Sequence, residues 1–314
     1  MNIEKCRKLI NNLADNVEKA VSGKRKIIEL ALVGLFARSH ILIEDIPGIG
    51  KTTLAMALAR SINGVFRRIQ MTADLLPSDI IGGLVFNPND QAFEVRWGPI
   101  QGNLVLCDEI NRATPKTQSA LLECMAEGQV TIDRQVLKLD DPFMVIATQN
   151  PMEYEGCYIL GESQKDRFIM AFKMGYPDYE TERSIVRSHS KVNVNADEIA
   201  PVLTLADLCE IQAAVGEVKV SESVLEYILN IVVETRRDPR VAVGVSPRGT
   251  ILLKLAASSF ALICGRDHVI FDDVKYIAPY VLTHRLQLCA EQILGENMAE
   301  EVVADCISKV PVTK

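Results

Sequence analysis

The sequence predicts an α/β protein in which a parallel sheet is followed by a smaller, all-helical domain. Apolar runs of strand length, each ending in polar residues, occur at residues 41–45, 103–109 and 143–150. A glycine-rich loop joins the first run to a helical pattern, and after Pro177 the strand patterns give way to helical ones. Buried parallel strands have this near-continuous apolar character, and their carboxyl ends carry the chemistry of open α/β sheets.

Two amphipathic helices are predicted to open the chain. Apolar residues recur at helical spacing between residues 3 and 17, and again between residues 27 and 35 after Gly23. Neither pattern alternates as a strand would. The sheet therefore begins only with the run at residues 41–45.

Two segments between the predicted strands have the character of β-hairpins. Residues 84–95 contain two alternating runs around a turn at 87–90, and residues 129–139 turn near 133–134. We expect Trp97 to pack at the base of the first hairpin, although a stacking contact with a client or a nucleic acid is the alternative.

The second half of the chain reads as a helical domain. At 314 residues the chain exceeds the size at which one hydrophobic core usually stops growing. We place the boundary in the polar stretch near residues 190–200, which gives a core of residues 1–190 and a helical domain of residues 191–314. The predicted helices after Pro177 lie at about 179–190, 204–214, 221–237, 247–264, 272–289 and 295–308.

The loop after the first strand has the composition of a phosphate-binding loop. Gly48 and Gly50 can adopt backbone angles that turn several N–H groups towards one anion, and the following helix adds a partial positive charge. Lys51 would reach the β and γ phosphates of a nucleotide, and Thr52 would ligate magnesium. Asp45 stands where the general pattern has its first glycine, and a chance Gly-x-Gly-Lys-Thr in a βα turn is the alternative. The predicted binding set is Asp45, Pro47, Gly48, Ile49, Gly50, Lys51, Thr52, Thr53 and Asp108.

Two adjacent carboxylates end the second predicted strand. Asp108 could hold magnesium through water, and Glu109 could orient or deprotonate an attacking water. Paired carboxylates after a strand also serve as caps or loop residues. Their position on a strand predicted to neighbour the loop lysine favours the chemical role.

The third predicted strand ends in Thr148, Gln149 and Asn150. The Asn150 amide supplies both a donor and an acceptor, so it could fix the attacking water or the γ phosphate. The alternative is a polar loop residue that precedes Pro151.

Together these motifs resemble the MoxR group of AAA+ ATPases. The run DIPGIGKTT is followed in order by CDEINRATPKTQSALLECMAEGQVTID, VIATQNP, DRF and GVSPRG. The resemblance extends from about Gly23 to Leu286. It implies a AAA+ P-loop core with hairpin inserts and a helical lid, ATP with Mg²⁺ at the loop, and a ring that we expect to be a hexamer. The family tolerates aspartate at the position of Asp45.

The resemblance assigns further catalytic roles. It implies that Asn150 is the first sensor and that Arg167 is the arginine finger of a neighbouring subunit. A guanidinium in that position would neutralise charge on the γ phosphate. A structural arginine paired with Asp166 or Glu162 is the alternative for Arg167.

Arg248 is implied to be the second sensor. Ser246 and Pro247 have the character of a helix cap and first turn, so we expect Arg248 at the start of a lid helix, facing the nucleotide. An arginine at a helix start is unfavourable for the helix dipole, which favours a functional reason.

The chain departs from the family pattern at two places. The segment before DRF is usually rich in proline and in acidic and alanine residues, whereas here it reads YILGESQKDRF. Gln101 also stands where an aromatic residue is common. Both changes leave the hydrolytic set intact and concern the geometry of the finger and the contacts with a client.

Composition narrows the cellular setting. The 34 basic and 41 acidic residues give a net charge of −7, so the chain has no general attraction for nucleic-acid phosphates. No apolar stretch approaches the ~20 residues that span a bilayer, and the N-terminus lacks the features of an export signal. Eight scattered cysteines without ligand or redox spacing fit reduced thiols. We therefore expect a cytoplasmic protein without membrane insertion.

The leading functional hypothesis is an ATP-hydrolysing motor that remodels or matures a partner protein, in the manner of a chaperone. The resemblance suggests a partner with a von Willebrand factor A-type domain. A nucleic-acid motor is the second hypothesis, since helicases share the hairpin inserts, but the charge and the hairpin tips disfavour it. The third is a nucleotide-gated, chelatase-like accessory subunit, against which the presence of Glu109 argues.

Overall fold

The computed structural model describes residues 3–133, 135–150, 157–188, 199–289 and 297–312, and it confirms the α/β prediction. Its centre is a five-stranded sheet with the order β2-β5-β8-β1-β9, in which every neighbouring pair is parallel. The strands are β1 (His40–Glu44), β2 (Phe66–Gln70), β5 (Leu104–Asp108), β8 (Met144–Gln149) and β9 (Phe168–Phe172).

Alternate residues of each central strand enter two different apolar clusters. In β1, Ile41 and Ile43 face one cluster, whereas Leu42 faces the other. The first cluster includes α1 (Ile3–Glu18), α2 (Arg25–Phe36) and α3 (Lys51–Ser61), and the second includes α5 (Pro115–Glu127). The sheet is therefore buried on both faces, as the unbroken apolar runs predicted.

Two strands of the central sheet were not predicted. The β2 sequence FRRIQ lies at one edge of the sheet with Arg67 and Arg68 exposed, so it lacks a continuous apolar run. The β9 sequence FIMAF is apolar and largely buried, but it is short and begins with the phenylalanine of the DRF motif. Each strand flanks an element that the sequence had already identified.

Both predicted hairpins are present. The first pairs β3 (Gly82–Asn87) with β4 (Ala92–Trp97), and the second pairs β6 (Gln129–Ile132) with β7 (Gln135–Lys138). Short helix α4 (Pro77–Ile81) precedes the first hairpin.

The first hairpin has one apolar face that continues beyond the core. Trp97 packs at its base against the second cluster, as predicted. Towards the tip Phe86 and Phe93 face each other across the strands, with ring centroids 5.4 Å apart. These two rings are 50% and 68% exposed, so the tip presents aromatic surface that the rest of the chain does not cover.

The helical domain follows the prediction except near its end. The predicted helix at 272–289 stops at Leu282 and continues as a 3₁₀ turn, Thr283–Arg285. The next residues form β11 (Gln287–Leu288), which pairs antiparallel with β10 (Val241–Val243) and so ends the helical path. The boundary predicted near residue 190 lies in the undescribed segment 189–198. The helices of the second half are α7 (Tyr179–Ser188), α8 (Leu205–Glu217), α9 (Glu222–Arg237), α10 (Pro247–Ile263), α11 (Phe271–Leu282) and α12 (Met298–Lys309).

The N-terminal helices join the core to the helical domain. Nine of the twelve residues of α2 are buried. The Gln212 side chain of α8 donates to the Leu35 carbonyl at 2.8 Å, and Ser259 of α10 donates to the Val33 carbonyl at 3.2 Å. One continuous apolar cluster therefore includes α1, α2 and the helical domain.

Candidate nucleotide site

The predicted phosphate loop connects β1 to α3 with left-handed glycines. Gly48 and Gly50 have φ angles of 86° and 96°, a region that residues with a side chain rarely adopt. Gly50 is the N-cap of α3, and Lys51 is its first residue. The Lys51 Nζ donates to the Asp45 carbonyl at 2.6 Å. A helix N-terminus, turned backbone amides and an ammonium group therefore meet at the carboxyl end of β1, which suits an anionic ligand.

Asp45 shapes the loop through its carboxylate. One oxygen accepts the Ile46 N–H at 2.8 Å, and the other accepts the Gly175 N–H at 2.7 Å. The carbonyls of residues 174–176 in turn accept the Lys24 ammonium at 2.9, 2.8 and 2.7 Å. Asp45 thus ties the loop to the segment after β9, and repulsion between anions disfavours direct contact of its carboxylate with phosphate.

Thr148 fixes both predicted carboxylates. Its hydroxyl donates to Asp108 Oδ1 at 2.7 Å and accepts the Glu109 N–H at 2.9 Å. The Thr148 side chain is fully buried, so these bonds form out of solvent. Glu109 itself has left-handed backbone angles, φ 58° and ψ 52°. The end of β8 therefore sets the position of two carboxylates at the end of β5.

The edge strand β2 adds two contacts that sequence reasoning missed. Arg68 donates to Asp108 Oδ2 at 2.7 Å, and Gln70 donates to Glu109 Oε2 at 2.9 Å. Arg112 also donates to Glu109 Oε2, at 3.0 Å. After a strand and a helix the chain normally re-enters the same sheet as a further parallel strand, and this rule could have located a strand after α3.

Asn150 lies beside the loop. The preceding residue, Gln149, pairs with Glu44 of β1, donates its side-chain amide to the Glu44 carboxylate and accepts the Asp45 N–H at 3.0 Å. Asn150 itself is 9% exposed. The structure therefore brings Lys51, Asp108, Glu109 and Asn150 to the carboxyl ends of three adjacent strands.

Arg167 lies at the amino end of the strands, opposite the end that carries the phosphate loop. It directly precedes β9, whose first residue Phe168 is paired with His40, the first residue of β1. The phosphate loop follows the other end of β1, and five residues of strand span roughly 16 Å at about 3.3 Å each. The Arg167 guanidinium donates to the Leu122 carbonyl of α5 at 2.8 Å.

The helix start that carries Arg248 lies at the same end of the strands. The predicted cap is present, because Ser246 Oγ accepts the Gly249 N–H at 3.2 Å at the start of α10. The same hydroxyl donates to Asp166 Oδ2 at 3.3 Å, which places the exposed first turn of α10 next to the segment that carries Arg167. The helix start that carries Arg248 is therefore separated from the phosphate loop of its own chain, and the role of Arg248 at a nucleotide stays a prediction. The start of α10 instead contacts Asp166, at the amino end of the strands.

Asp166 is not the partner of Arg167. Its carboxylate accepts Arg285 Nε at 2.8 Å. Among the described residues no ion pair joins Arg167 to Asp166 or to Glu162, which were the alternative partners.

All eight cysteines lie in the described ranges, and each of them is a free thiol. The departing segment before DRF contains the short helix α6 (Glu162–Lys165).

The comparisons with known proteins agree with this geometry. Residues 40–170 match the ATPase family associated with various cellular activities (AAA), and residues 233–306 match the AAA lid domain. Fold and site thus define an AAA+ ATPase, a class that binds and hydrolyses nucleotide. None of the described helices is both long and apolar enough to cross a bilayer.

Relatives that match along most of their length identify the family within this class. The chain is 46% identical to YeaC of Bacillus subtilis, over 99% of this chain and 98% of that protein. It is 38% identical to Chaperone MoxR1 of Mycobacterium tuberculosis, over 91% of this chain and 78% of that protein. A crystal structure of a proposed ATPase from Cytophaga hutchinsonii has a TM-score of 0.92 at 38% identity, with 99% of this chain and 97% of that chain covered. The chain belongs to the MoxR family of AAA+ ATPases.

Proposed function

We propose that the phosphate loop binds ATP as its magnesium complex. Lys51 would contact the β and γ phosphates, and the Thr52 hydroxyl together with Asp108, through water, would hold the metal. These are hard oxygen donors of the kind that Mg²⁺ prefers. Each Asp108 oxygen accepts one protein hydrogen bond and keeps lone-pair capacity for a coordinated water. The metal, when bound, would neutralise phosphate charge.

Glu109 is the proposed base for the attacking water, and Asn150 the residue that orients it. Gln70 and Arg112 contact the same Glu109 oxygen, and Thr148 holds the Glu109 backbone. Within the part of the chain that the structure describes, no side chain donates a hydrogen bond to the other carboxylate oxygen, which would accept a proton from water. Both residues lie at the carboxyl ends of strands, beside the loop.

We propose further that Arg167 and Arg248 complete the active site of a neighbouring subunit in a ring, which we expect to be a hexamer. The observation that carries this proposal is the separation of the two arginines from their own phosphate loop by the length of strand β1. In a head-to-tail ring one edge of each subunit faces the opposite edge of the next. A single chain would then hold a complete binding loop and an incomplete catalytic site.

The motor would act on a partner protein. The relative from Mycobacterium tuberculosis is named a chaperone. The aromatic tip formed by Phe86 and Phe93 offers apolar surface for a client polypeptide. A partner with a von Willebrand factor A-type domain is the candidate suggested by the family resemblance, and the cytoplasm is the expected setting.

Mixing of inactive variants tests the trans-acting site. Glu109→Gln should retain ATP binding and lose at least ~100-fold in turnover, the lower range for loss of a general base. Arg167→Ala should also bind ATP and lose at least ~10³-fold. In a one-to-one mixture, roughly a quarter of random interfaces would pair an intact Glu109 with an intact Arg167. ATPase activity should therefore reappear, and activity per subunit of the unmodified protein should rise with protein concentration.

The outcomes of this experiment are distinct. A mixture as inactive as its components, with co-assembly verified by cross-linking, would remove Arg167 from the neighbour's site. Arg248→Ala should likewise be rescued by Glu109→Gln and not by Arg167→Ala. The reverse pattern would assign Arg248 to the nucleotide of its own chain.

A further inference from the structure

Arg285 is a buried arginine that belongs to no site described so far. It ends the 3₁₀ turn after α11, and its side chain is 2% exposed. Burial lowers its pKa from 12.5 to about 10, although the neighbouring Asp166 opposes this shift. Replacing a buried ion pair with apolar residues is often neutral or stabilising, so stability alone is a weak reason for such a group.

The Arg285 guanidinium binds the chain on both sides of Arg167. Its Nε donates to the Asp166 carboxylate at 2.8 Å, and one Nη donates to the Asp166 carbonyl at 3.3 Å and to the Phe168 carbonyl. The other Nη donates to the Ile169 carbonyl at 3.3 Å. Four acceptors from residues 166–169 thus converge on one planar, rigid cation, which fixes the backbone from which Arg167 projects.

The same cluster includes the start of the helix that carries Arg248. The Asp166 oxygen that does not contact Arg285 Nε accepts the Ser246 hydroxyl at 3.3 Å. Ser246 is the N-cap of α10, and Arg248 lies in the first turn of that helix. One carboxylate therefore joins the Arg167 segment, the α10 start and the turn that ends in Arg285.

We propose that Arg285 is a positioning residue for the arginine finger. It holds residues 166–169 against the helical domain so that Arg167 meets the nucleotide of the neighbouring subunit. This inference rests on the proposed trans-acting site. The contacts of Arg285 with residues 166–169 lie at the amino end of the strands, whereas its own phosphate loop follows the carboxyl end of β1. Arg285 should therefore affect the nucleotide site of a neighbour and not that of its own chain.

Arg285→Lys is the first test, because lysine keeps the charge but cannot present the planar fork to several carbonyls. Misplacing a catalytic group by ~1 Å costs on the order of 100-fold in rate. We therefore expect kcat to fall roughly 10-fold to 100-fold, with the Kd for ATP changed by less than about twofold. Arg266→Lys is the matched control, because Arg266 forms a similar, partly buried pair with Asp273, at 2.5 and 2.6 Å, and has no hydrogen bond to residues 166–169. Its turnover should remain close to that of the unmodified protein.

Mixed rings then show on which side of the interface Arg285 acts. Mixing Arg285→Lys with Glu109→Gln should restore activity, because roughly a quarter of interfaces would pair Glu109 with a well-placed finger. Mixing it with Arg167→Ala should restore none, because both subunits would lack a competent finger. The Arg167→Ala and Glu109→Gln mixture, run in parallel, tests the proposed function itself.

Each other outcome overturns the inference. If the parallel mixture recovers activity, two results would overturn the role of Arg285 alone. One is unchanged turnover of Arg285→Lys, and the other is rescue of that variant by Arg167→Ala instead of Glu109→Gln. If Arg285→Lys does not fold or assemble, Asp166→Asn replaces it, with the same pattern expected. Misfolding of both variants would assign the cluster to stability, and failure of the parallel mixture would remove the proposed function together with the inference.

Discussion

Acidification should destabilise the protein through His40, the buried first residue of β1. Its Nδ1 accepts the Val145 N–H at 2.9 Å, so the ring proton lies on Nε2, which donates to the Met125 carbonyl at 2.8 Å. Phe143 packs against the ring at a centroid distance of 5.6 Å. A second ring proton would point at the Val145 N–H in a buried site, so the neutral form is strongly preferred.

The magnitude follows from the pKa. Burial lowers the pKa of His40 from 6.5 to about 4. At about 1.4 kcal/mol for each pKa unit, this difference is worth about 3 kcal/mol. In the unfolded chain His40 takes up a proton below about pH 6.5, whereas the folded chain stays neutral until about pH 4. The unfolded state therefore binds more protons in this window, and the stabilisation present above it is lost as the pH falls through it.

The assay is the free energy of unfolding from urea titrations of the unmodified protein and His40→Gln. Glutamine keeps a donor and an acceptor but does not titrate. Between about pH 7.5 and about pH 4.5 the unmodified protein should lose on the order of 2–3 kcal/mol more than the variant. Burial also lowers the pKa of His284, but that residue is present in both proteins and cancels in the difference. If the unfolding free energies of the two proteins change with pH in parallel across this range, the reasoning is refuted.

Three further predictions concern the site and the hairpin. Thr148→Val should cost about 1–3 kcal/mol of stability and lower turnover. Its control is Thr235→Val, because Thr235 is equally buried, donates to the Val232 carbonyl and accepts the Val245 N–H, so this change should cost stability alone. Denaturant titration and ATPase assays compare the two variants. Lys51→Ala should abolish tight binding of a fluorescent ATP analogue, whereas the exposed Lys116→Ala should not. Replacing both Phe86 and Phe93 by serine should weaken capture of a permanently unfolded α-lactalbumin and leave basal turnover within about twofold. The control is Leu229→Ser, at an exposed apolar residue on α9, which should change neither capture nor turnover. Equal effects of a variant and its control would contradict the corresponding prediction.

Much of the fold could be predicted because its elements have strong local patterns. The central strands are apolar throughout, and the glycine loop and the caps at Thr204, Ser221 and Ser246 mark helix starts by residue type. The edge strand β2 failed this test because two exposed arginines interrupt its pattern. The helix predicted to reach residue 289 ended early because pairing between β10 and β11 is a tertiary effect.

The site was predictable where chemistry depends on residue type at short spacing. Lys51, Asp108 and Glu109 fall into this class. Arg68, Gln70 and Arg285 do not, because their partners are distant in sequence and a charged residue type gives no indication of burial. The sequence also predicted a helix start before Arg248. Which end of the strands this helix start contacts depends on how the lid packs.

The shared cluster of α2 and the helical domain has a consequence for synthesis of the chain. The carbonyls of Val33 and Leu35 receive side chains that are 226 and 177 residues further along. Contacts of such sequence separation form late, since a long loop must close first. During translation the part of the α2 surface that contacts α10 therefore stays uncovered until α10 has left the ribosome, and a chain that ends before α10 should aggregate at that surface.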